Sequence, residues 1–567
     1  MERKKPPRKA VHSAQILPAI IAILVWIAFL PVLNAEFVWD DRINLVDNFN
    51  YRGLGFSQIR WMLTTYHDGN YHPLSWLTFG LDYCLWGLNP SGYHLTNLVL
   101  HVINTVLVYH LISALIFISK PGPSIRSPRA VAIASFAGAL FFGIHPLRVE
   151  TVGWVSVRGD LVCAPFYLAT LMSYLRYAAN ENSRCAGKWL ILSLLFFALS
   201  LMGRAWGISL PFILLLLDVY PLKRLDMKGK LPGRVFKEKI PFFILSAIGA
   251  LLAILAKSAG GKIVPLHSHS VFFRVLQACY SMAFYQLKTV WPFNLTPVYP
   301  LKILLNPDHP GFLSLTFAAV VITVLLFTWR NRWPWALCAW LSYAFIISPQ
   351  LGFVQSGPQI AADRYSYIAC LPFAVLFAAG VELAASGILS KKIGCTVLAA
   401  TFALLAMFGF VTYKQAHVWQ DIPSVWTHVI HRYPDYDEAH YNIGVYYLER
   451  GDTDRAADAL DKALSLNPES SEATNQLGVV SMIRGNRKHA LACFNRSIKL
   501  NPAYPEAYAN RGVLRKGLGD PAGAASDFKT ALAITKKSWR YRERVRNLLV
   551  QVESQLKQSS DKGNSDQ

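Results

Sequence analysis

From Gln15 to Tyr413 the chain is a succession of apolar runs, most about as long as a bilayer-crossing helix, separated by short charged segments. A hydrocarbon core offers no water to unpaired backbone groups, so such a chain crosses as helices or as a closed barrel. Runs of roughly twenty apolar residues select helices. Only 16% of residues are charged, against roughly 25% in soluble chains. The net charge of +22 lies in short basic segments between the runs. That is the positive-inside pattern of membrane proteins. No basic segment carries a nucleic-acid motif, which excludes nucleic acid as a partner. The eight cysteines are scattered with no CxxC pair, so they form neither a disulfide framework nor a metal-ligand spacing.

Charge counting sets the expected topology. A basic front (Arg3, Lys4, Lys5, Arg8, Lys9) precedes the run from Gln15 to Leu33, read as a retained span with its N-terminus in the cytoplasm. Further spans are expected at about 94–117, 130–144 and 161–177. The run 189–217 is interrupted by Gly203-Arg204-Ala205-Trp206-Gly207. Read as one crossing, it would put the seven bases from Lys223 to Lys239 outside, so it is read as a hairpin of two short spans. Spans at about 240–257, 311–329, 333–348, 367–386 and 393–413 complete eleven crossings, with 275–291 lying at the interface. The C-terminal part and the loops holding Asp40-Asp41, Arg148 and Glu150, Arg158-Gly159-Asp160 and Asp363-Arg364-Tyr365 then share the external side. A loop with His267 and His269 also falls there. The first loop, Glu36 to Ser91, carries Trp61, Trp76 and Trp86 on pieces expected to lie at the interface.

His94, Asn97, His101 and Asn104 share one helix face. Such a face lines a wet cavity or bonds neighbouring helices, and spacing alone leaves both open. His72 and His145 each precede proline, which fits a turn or a ligand contact equally. The external acids and arginines suit group transfer from a lipid phosphate. A carboxylate takes the proton of the incoming hydroxyl, and a cation steadies the departing phosphate. The same residues also suit solvated loop ends, interface anchors and structural salt bridges. Asp40 and Asp41, with Glu150, could hold Mg²⁺ or Mn²⁺ through oxygen ligands, or one acid could act alone as base.

From Asp437 onward a period of 34 residues appears. Ala439, Ala473 and Ala507 align, as do Gly444, Gly478 and Gly512, then Gly451, Gly485 and Gly519, then Ala456, Ala490 and Ala524. This pattern is a tetratricopeptide-repeat solenoid. Residues 415–536 make about three and a half units, with full units near 435–468, 469–502 and 503–536. A capping helix at 537–557 and a disordered tail at 558–567 follow. Such arrays bind a protein or peptide client on a concave face.

Several segments together resemble one family: Phe37 to Asp41, Tyr71-His72-Pro73 through Phe79, and Gly92-Tyr93-His94 through His101. His145-Pro146-Leu147-Arg148-Val149-Glu150, Arg158-Gly159-Asp160-Leu161 and Asp363-Arg364-Tyr365-Ser366-Tyr367 complete the set. The family is the transmembrane and tetratricopeptide-repeat O-mannosyltransferases and their bacterial relatives, glycosyltransferases of the GT-C fold. The resemblance implies an all-α chain, with a polytopic membrane bundle at 1–414 ahead of the repeats. It implies inverting transfer of a sugar from a polyprenyl-phosphate donor to Ser or Thr hydroxyls of exported proteins, with the bacterial inner membrane as the expected setting. Asp40 or Asp41 matches the family's first-loop acid, the margin favouring Asp40 as base, and Glu150 matches its second-loop acid. His72, His94, His145, Arg148, Arg158, Asp160, Arg204, Arg364 and Tyr365 are the expected donor-phosphate and substrate residues. One departure stands out. Where many relatives have Lys-Glu between two short spans, this chain has Arg204-Ala205. Two rivals come from other classes: a non-catalytic repeat scaffold for a secretion or polysaccharide complex, and a transporter, which would need matching halves that this chain lacks.

Overall fold

The computed structural model describes residues 8–119, 127–225, 233–261, 270–301, 310–353, 359–535 and 539–565. His267 and His269 lie outside them. Among the described residues the chain is helical nearly throughout, apart from a short antiparallel ladder that pairs Tyr299–Pro300 with Gln359–Ala361. Two compact units are resolved, Met1–Asp421 and Ile422–Gln567.

In the first unit a helix occupies each segment expected to cross a membrane. Among the described residues six helices are long and apolar enough to do so, or up to eight if each of two bent pairs is one span. Ile16–Ala28 and Ala205–Val219 are apolar but shorter. Val271–Val290, expected at the interface, is not among those that qualify. The bent pairs are Pro128–Gly143 with Pro146–Gly153, at 52°, and Asp363–Ala369 with Leu371–Ala385, at 58°. Pro146 is the first residue of one second piece and Pro372 the second residue of the other. Proline has no N–H to continue the ladder, so the chain turns there.

The expected interruption after Gly203 is also present. The helix Ala186–Gly203 stops, Arg204 is extended, and a short turn leads into Leu210–Val219. A Cβ on Gly203 would lie 2.8 Å from the Cys163 nitrogen. Only glycine lets this helix approach the Arg158–Ala179 helix so closely.

The polar face of the Pro90–Ser119 helix is used for bonding between helices. His101 Nδ1 and Nε2 lie 2.8 Å from the Tyr367 hydroxyl and the Gly143 carbonyl. Asn104 donates to the Leu161 carbonyl (3.0 Å) and the Tyr367 hydroxyl (3.1 Å), and Asn97 donates to the Val152 carbonyl (3.1 Å). With no water to compete, such bonds fix helix register. The first loop is a small folded layer. Its helices Phe56–Thr64 and Pro73–Trp86 bury Leu45, Tyr51, Met62, Trp76 and Phe79 with Tyr93 and leave Phe49 and Phe56 exposed.

In the second unit paired helices run from Asp437–Glu449 to Pro521–Ile534. Gly478 and Gly512 sit where the ring of Phe494 or Phe528 crosses, and a Cβ there would lie 2.7 or 2.6 Å from that ring. The helix Arg542–Ser565 runs on through residues 558–565, where a disordered tail was expected. These residues are polar but contain no proline to stop a helix.

Replacing Gly203 by valine forces the two helices apart. Overpacking of this kind costs about 1–3 kcal/mol. The Gly203→Val protein is expected to melt several degrees below wild type in detergent, whereas Gly187→Ala, where a Cβ meets nothing within 4 Å, should melt within about a degree of it.

Candidate active site

The two bent helices meet at a charged cluster. Glu150 follows the first break, in Val149–Gly153, and Arg364 precedes the second, in the turn Asp363–Tyr365. The Arg364 guanidinium pairs with Glu150 Oε1, and the Arg364 backbone N–H donates to Oε2 at 2.8 Å. Both carboxylate oxygens are therefore held by one residue. Asp363 is held from the other side, where Tyr299 of the short ladder donates to Oδ1 at 2.8 Å. Tyr365 accepts long contacts from Arg364 and Gln359, 3.4 Å each.

Asp160, near the start of the Arg158–Ala179 helix, is buried and pairs with Arg204 (Nη1–Oδ1 2.9 Å). The extended backbone after Gly203 delivers Arg204 to this spot. Arg204 thus finds its carboxylate across the bundle, not at the neighbouring position where Ala205 stands. Arg204 and Arg364 both act electrostatically on Asp160, and the Trp206 ring lies 6.0 Å from that of Tyr365.

The first-loop acids divide. Asp41 is fully buried. Its Oδ1 accepts from the Ser156 backbone N–H (2.7 Å) and hydroxyl (2.6 Å), and its Oδ2 accepts from the Val38 N–H (3.1 Å). The Asp41 N–H returns a bond to the Val38 carbonyl at 3.0 Å. This closes a tight turn in which Trp39 takes a left-handed backbone, φ +52°, a conformation disfavoured for a bulky residue. Burial raises the Asp41 carboxyl to about 7, against the bonds from Ser156 and Val38 that lower it. Asp40 is half-buried on the same turn. The Trp39 ring stacks on Trp154 (4.8 Å, 5°), and the Arg364 guanidinium sits 5.1 Å from the Trp154 ring centroid. Rings thus link the Asp40–Asp41 turn to the Glu150–Arg364 pair.

Other expected residues lie in the frame around this cluster. Arg158 is fully buried, with Asp82 (2.5 Å), the Asn97 side chain (2.7 Å) and the Tyr93 carbonyl (2.8 Å) as partners. It holds the first loop to the bundle, with all three guanidinium nitrogens engaged. His145 is taken on both nitrogens, with Nε2 3.0 Å from the Thr289 carbonyl and Nδ1 accepting from the Leu147 N–H at 3.3 Å. His94 is buried with Nε2 3.4 Å from the Glu36 carbonyl. His72 is held neutral, pushed down to about 3 by burial and then by the charge of Arg204. Arg148 is fully buried, and its guanidinium makes no hydrogen bond among the described residues, lying over the Phe142 and Tyr367 rings. Ser156 and Asp82 escaped the sequence reading. A lone serine carries no signal, and Asp82 was one loop acid among several.

The three acids weighed as metal ligands have different neighbours. Asp41 faces N–H and O–H donors, Glu150 faces Arg364, and no group of three or more His, Cys, Asp or Glu that could hold a metal ion occurs among the described residues.

These features define a polytopic, all-α membrane protein with an acid–arginine cluster where two broken helices meet, joined to a tetratricopeptide solenoid. The tetratricopeptide repeat model matches residues 437–470. Protein O-mannosyl-transferase TMTC1 of Homo sapiens is 23% identical over 489 residues, 77% of this chain and 53% of that protein. Protein O-mannosyl-transferase F38B6.6 of Caenorhabditis elegans is 23% identical over 494 residues, covering 82% and 65%. Among solved structures, the first TPR domain of human RPAP3 is 20% identical with a TM-score of 0.21, covering 23% of this chain and 98% of that one. The chain is similar to proteins named protein O-mannosyl-transferases, and spans about half the length, or less, of most of them.

Because the native Asp41 carboxyl binds its proton more tightly than the ordinary value of 3.8, folding stability should fall as pH rises from about 4 to about 7 and level off above. The Asp41→Asn protein carries no such charge, so its melting temperature is expected to vary less across that window. An equal slope in both proteins would remove Asp41 as the source.

Proposed function

We propose that this chain is a membrane O-glycosyltransferase, moving a mannosyl-type sugar from a polyprenyl-phosphate donor to a Ser or Thr hydroxyl of a protein client held by the repeats. Support comes above all from the acid–arginine cluster where the two bent helices meet, beside the turn that presents Asp40. Support also comes from the relatives, which are named protein O-mannosyl-transferases.

Asp40 is the proposed base and Asp41 its positioning residue. Asp40 takes the proton from the client hydroxyl as that oxygen bonds to the anomeric carbon. The bond from that carbon to the phosphate oxygen breaks, and the lipid phosphate departs as an anion. Arg364 and Arg204 face the developing charge, with planar forks that match phosphate oxygens. Glu150 and Asp160 hold those forks in place. One displacement without a covalent intermediate inverts the anomeric centre. The positive-inside count supports an N-terminus in the cytoplasm, with the cluster and repeats on the external side, and the bacterial inner membrane is the setting proposed with it.

Removing a positioned base lowers turnover about 10²–10⁴-fold. Asp40→Asn should show that loss in sugar transfer from a lipid-linked donor to an acceptor peptide, with donor affinity little changed. Arg364→Lys, which loses the bidentate fork, should lower turnover as well and weaken donor binding. If the Asp40→Asn, Asp41→Asn double variant were well expressed and client glycosylation in cells stayed normal, the enzyme reading would give way to that of a repeat scaffold.

A further inference from the structure

The end of the bundle remote from the charged cluster contains a second cavity, of ≈ 190 Å³. Five helices enclose it: Pro90–Ser119, Arg158–Ala179, Leu210–Val219, Pro334–Ile347 and Leu371–Ala385. Its lining is apolar over most of its length, through Leu111, Leu171, Ile213, Leu217 and Cys338. Burial orients it. Tyr167, Ile346 and Leu371 at the inner end are buried, whereas Trp335 and Ala379 at the outer end are exposed. The cavity is a slot closed beneath the charged cluster and open at the opposite end of the bundle.

The slot is one leaflet deep. Trp335 and Ile346 line its two ends on a single helix, and at 1.5 Å per residue they stand roughly 16 Å apart. Half of a hydrocarbon core ~30 Å thick is about 15 Å. The open end has a charge of its own. Lys223, Arg330 and Arg332 are exposed there, on the turns that follow or precede lining helices. Among the described residues, Asp218 and Glu238 do not offset it, because Asp218 is paired with Arg224 and Lys239 (3.0 and 2.7 Å) and Glu238 with Arg224 (3.0 Å). A polyprenyl donor whose phosphate met Arg364 and Arg204 would bring its chain in from the other leaflet.

We propose that the slot binds one acyl chain of an anionic glycerophospholipid from the leaflet at the end remote from the charged cluster, with its phosphate among Lys223, Arg330 and Arg332. The chain fills space that would otherwise stay empty or wet inside the bundle, and the basic turns select the headgroup. This is a lipid site separate from any donor site, so it stands or falls independently of transferase activity.

Full-length protein, purified in mild detergent and exposed to mixed vesicles of phosphatidylglycerol and phosphatidylcholine, tests it by mass analysis of co-purified lipid. Wild type is expected to retain phosphatidylglycerol at about one per chain. Ala339→Trp, which places a ring in the slot, should lower retention about tenfold or more. The triple variant Lys223→Ser, Arg330→Ser, Arg332→Ser leaves the slot intact and should retain lipid without preference for phosphatidylglycerol, which decides the matter even if Ala339→Trp fails to fold. Retention of no phospholipid, retention of a polyprenyl phosphate in its place, an unchanged preference in the triple variant, or undiminished retention by a folded Ala339→Trp protein would each overturn the proposal.

Discussion

The clamp of Arg364 on Glu150 is the interaction on which the rest of the membrane unit depends. Glu150 and Arg364 are 214 positions apart in sequence, and each lies on a short piece turned away from its parent helix. A bent helix leaves backbone groups unpaired and moves a charge to a depth where solvation is poor. One break alone would expose a buried carboxylate, and the other a buried guanidinium. Together they neutralise each other, and the Arg364 backbone N–H takes the second carboxylate oxygen. Breaking such a buried pair from one side is strongly destabilising, because the remaining charge has no partner. The two breaks are therefore mutually required.

Around that clamp the charged side chains fall into a layered order. Arg158, paired with Asp82, Asn97 and Tyr93, ties the folded first loop to the bundle. Asp41, saturated by Ser156 and Val38, ties the turn that carries Asp40 to the segment between Glu150 and Asp160. Arg204 and Asp160 close the far side. The fully buried members set geometry, while Asp40 and Arg204 retain partial exposure. That division explains how adjacent aspartates come to have unlike environments. Successive residues in a tight turn project differently, and here one meets the protein interior and its neighbour does not.

Much of this was legible in the chain itself. Apolar runs announced the helices, because the bilayer requires backbone groups to be paired within each segment. The 34-residue period announced the repeats, because each unit repeats the same small residues at its contacts. Gly203 marked an interruption. The histidines were harder. His94, His101 and His145 look alike as ligands or as helix glue, since either use requires the same ring on the same face. Only the neighbours across the bundle, Glu36, Tyr367, Gly143 and Thr289, reveal the second use.

The sequence by itself determined that the chain is helical and lipid-seeking, that the run 189–217 is interrupted after Gly203, and which loops carry acids and arginines. These are local properties, set by hydropathy, proline, glycine and charge along a few neighbouring residues. Tertiary structure alone decided which charges meet. It gave Arg204 its carboxylate from Asp160, Asp41 its donors from Ser156, and Arg158 its partner in Asp82. Such pairings are fixed by close packing between distant segments, where an unpaired buried charge is too costly to persist, and no local pattern records them.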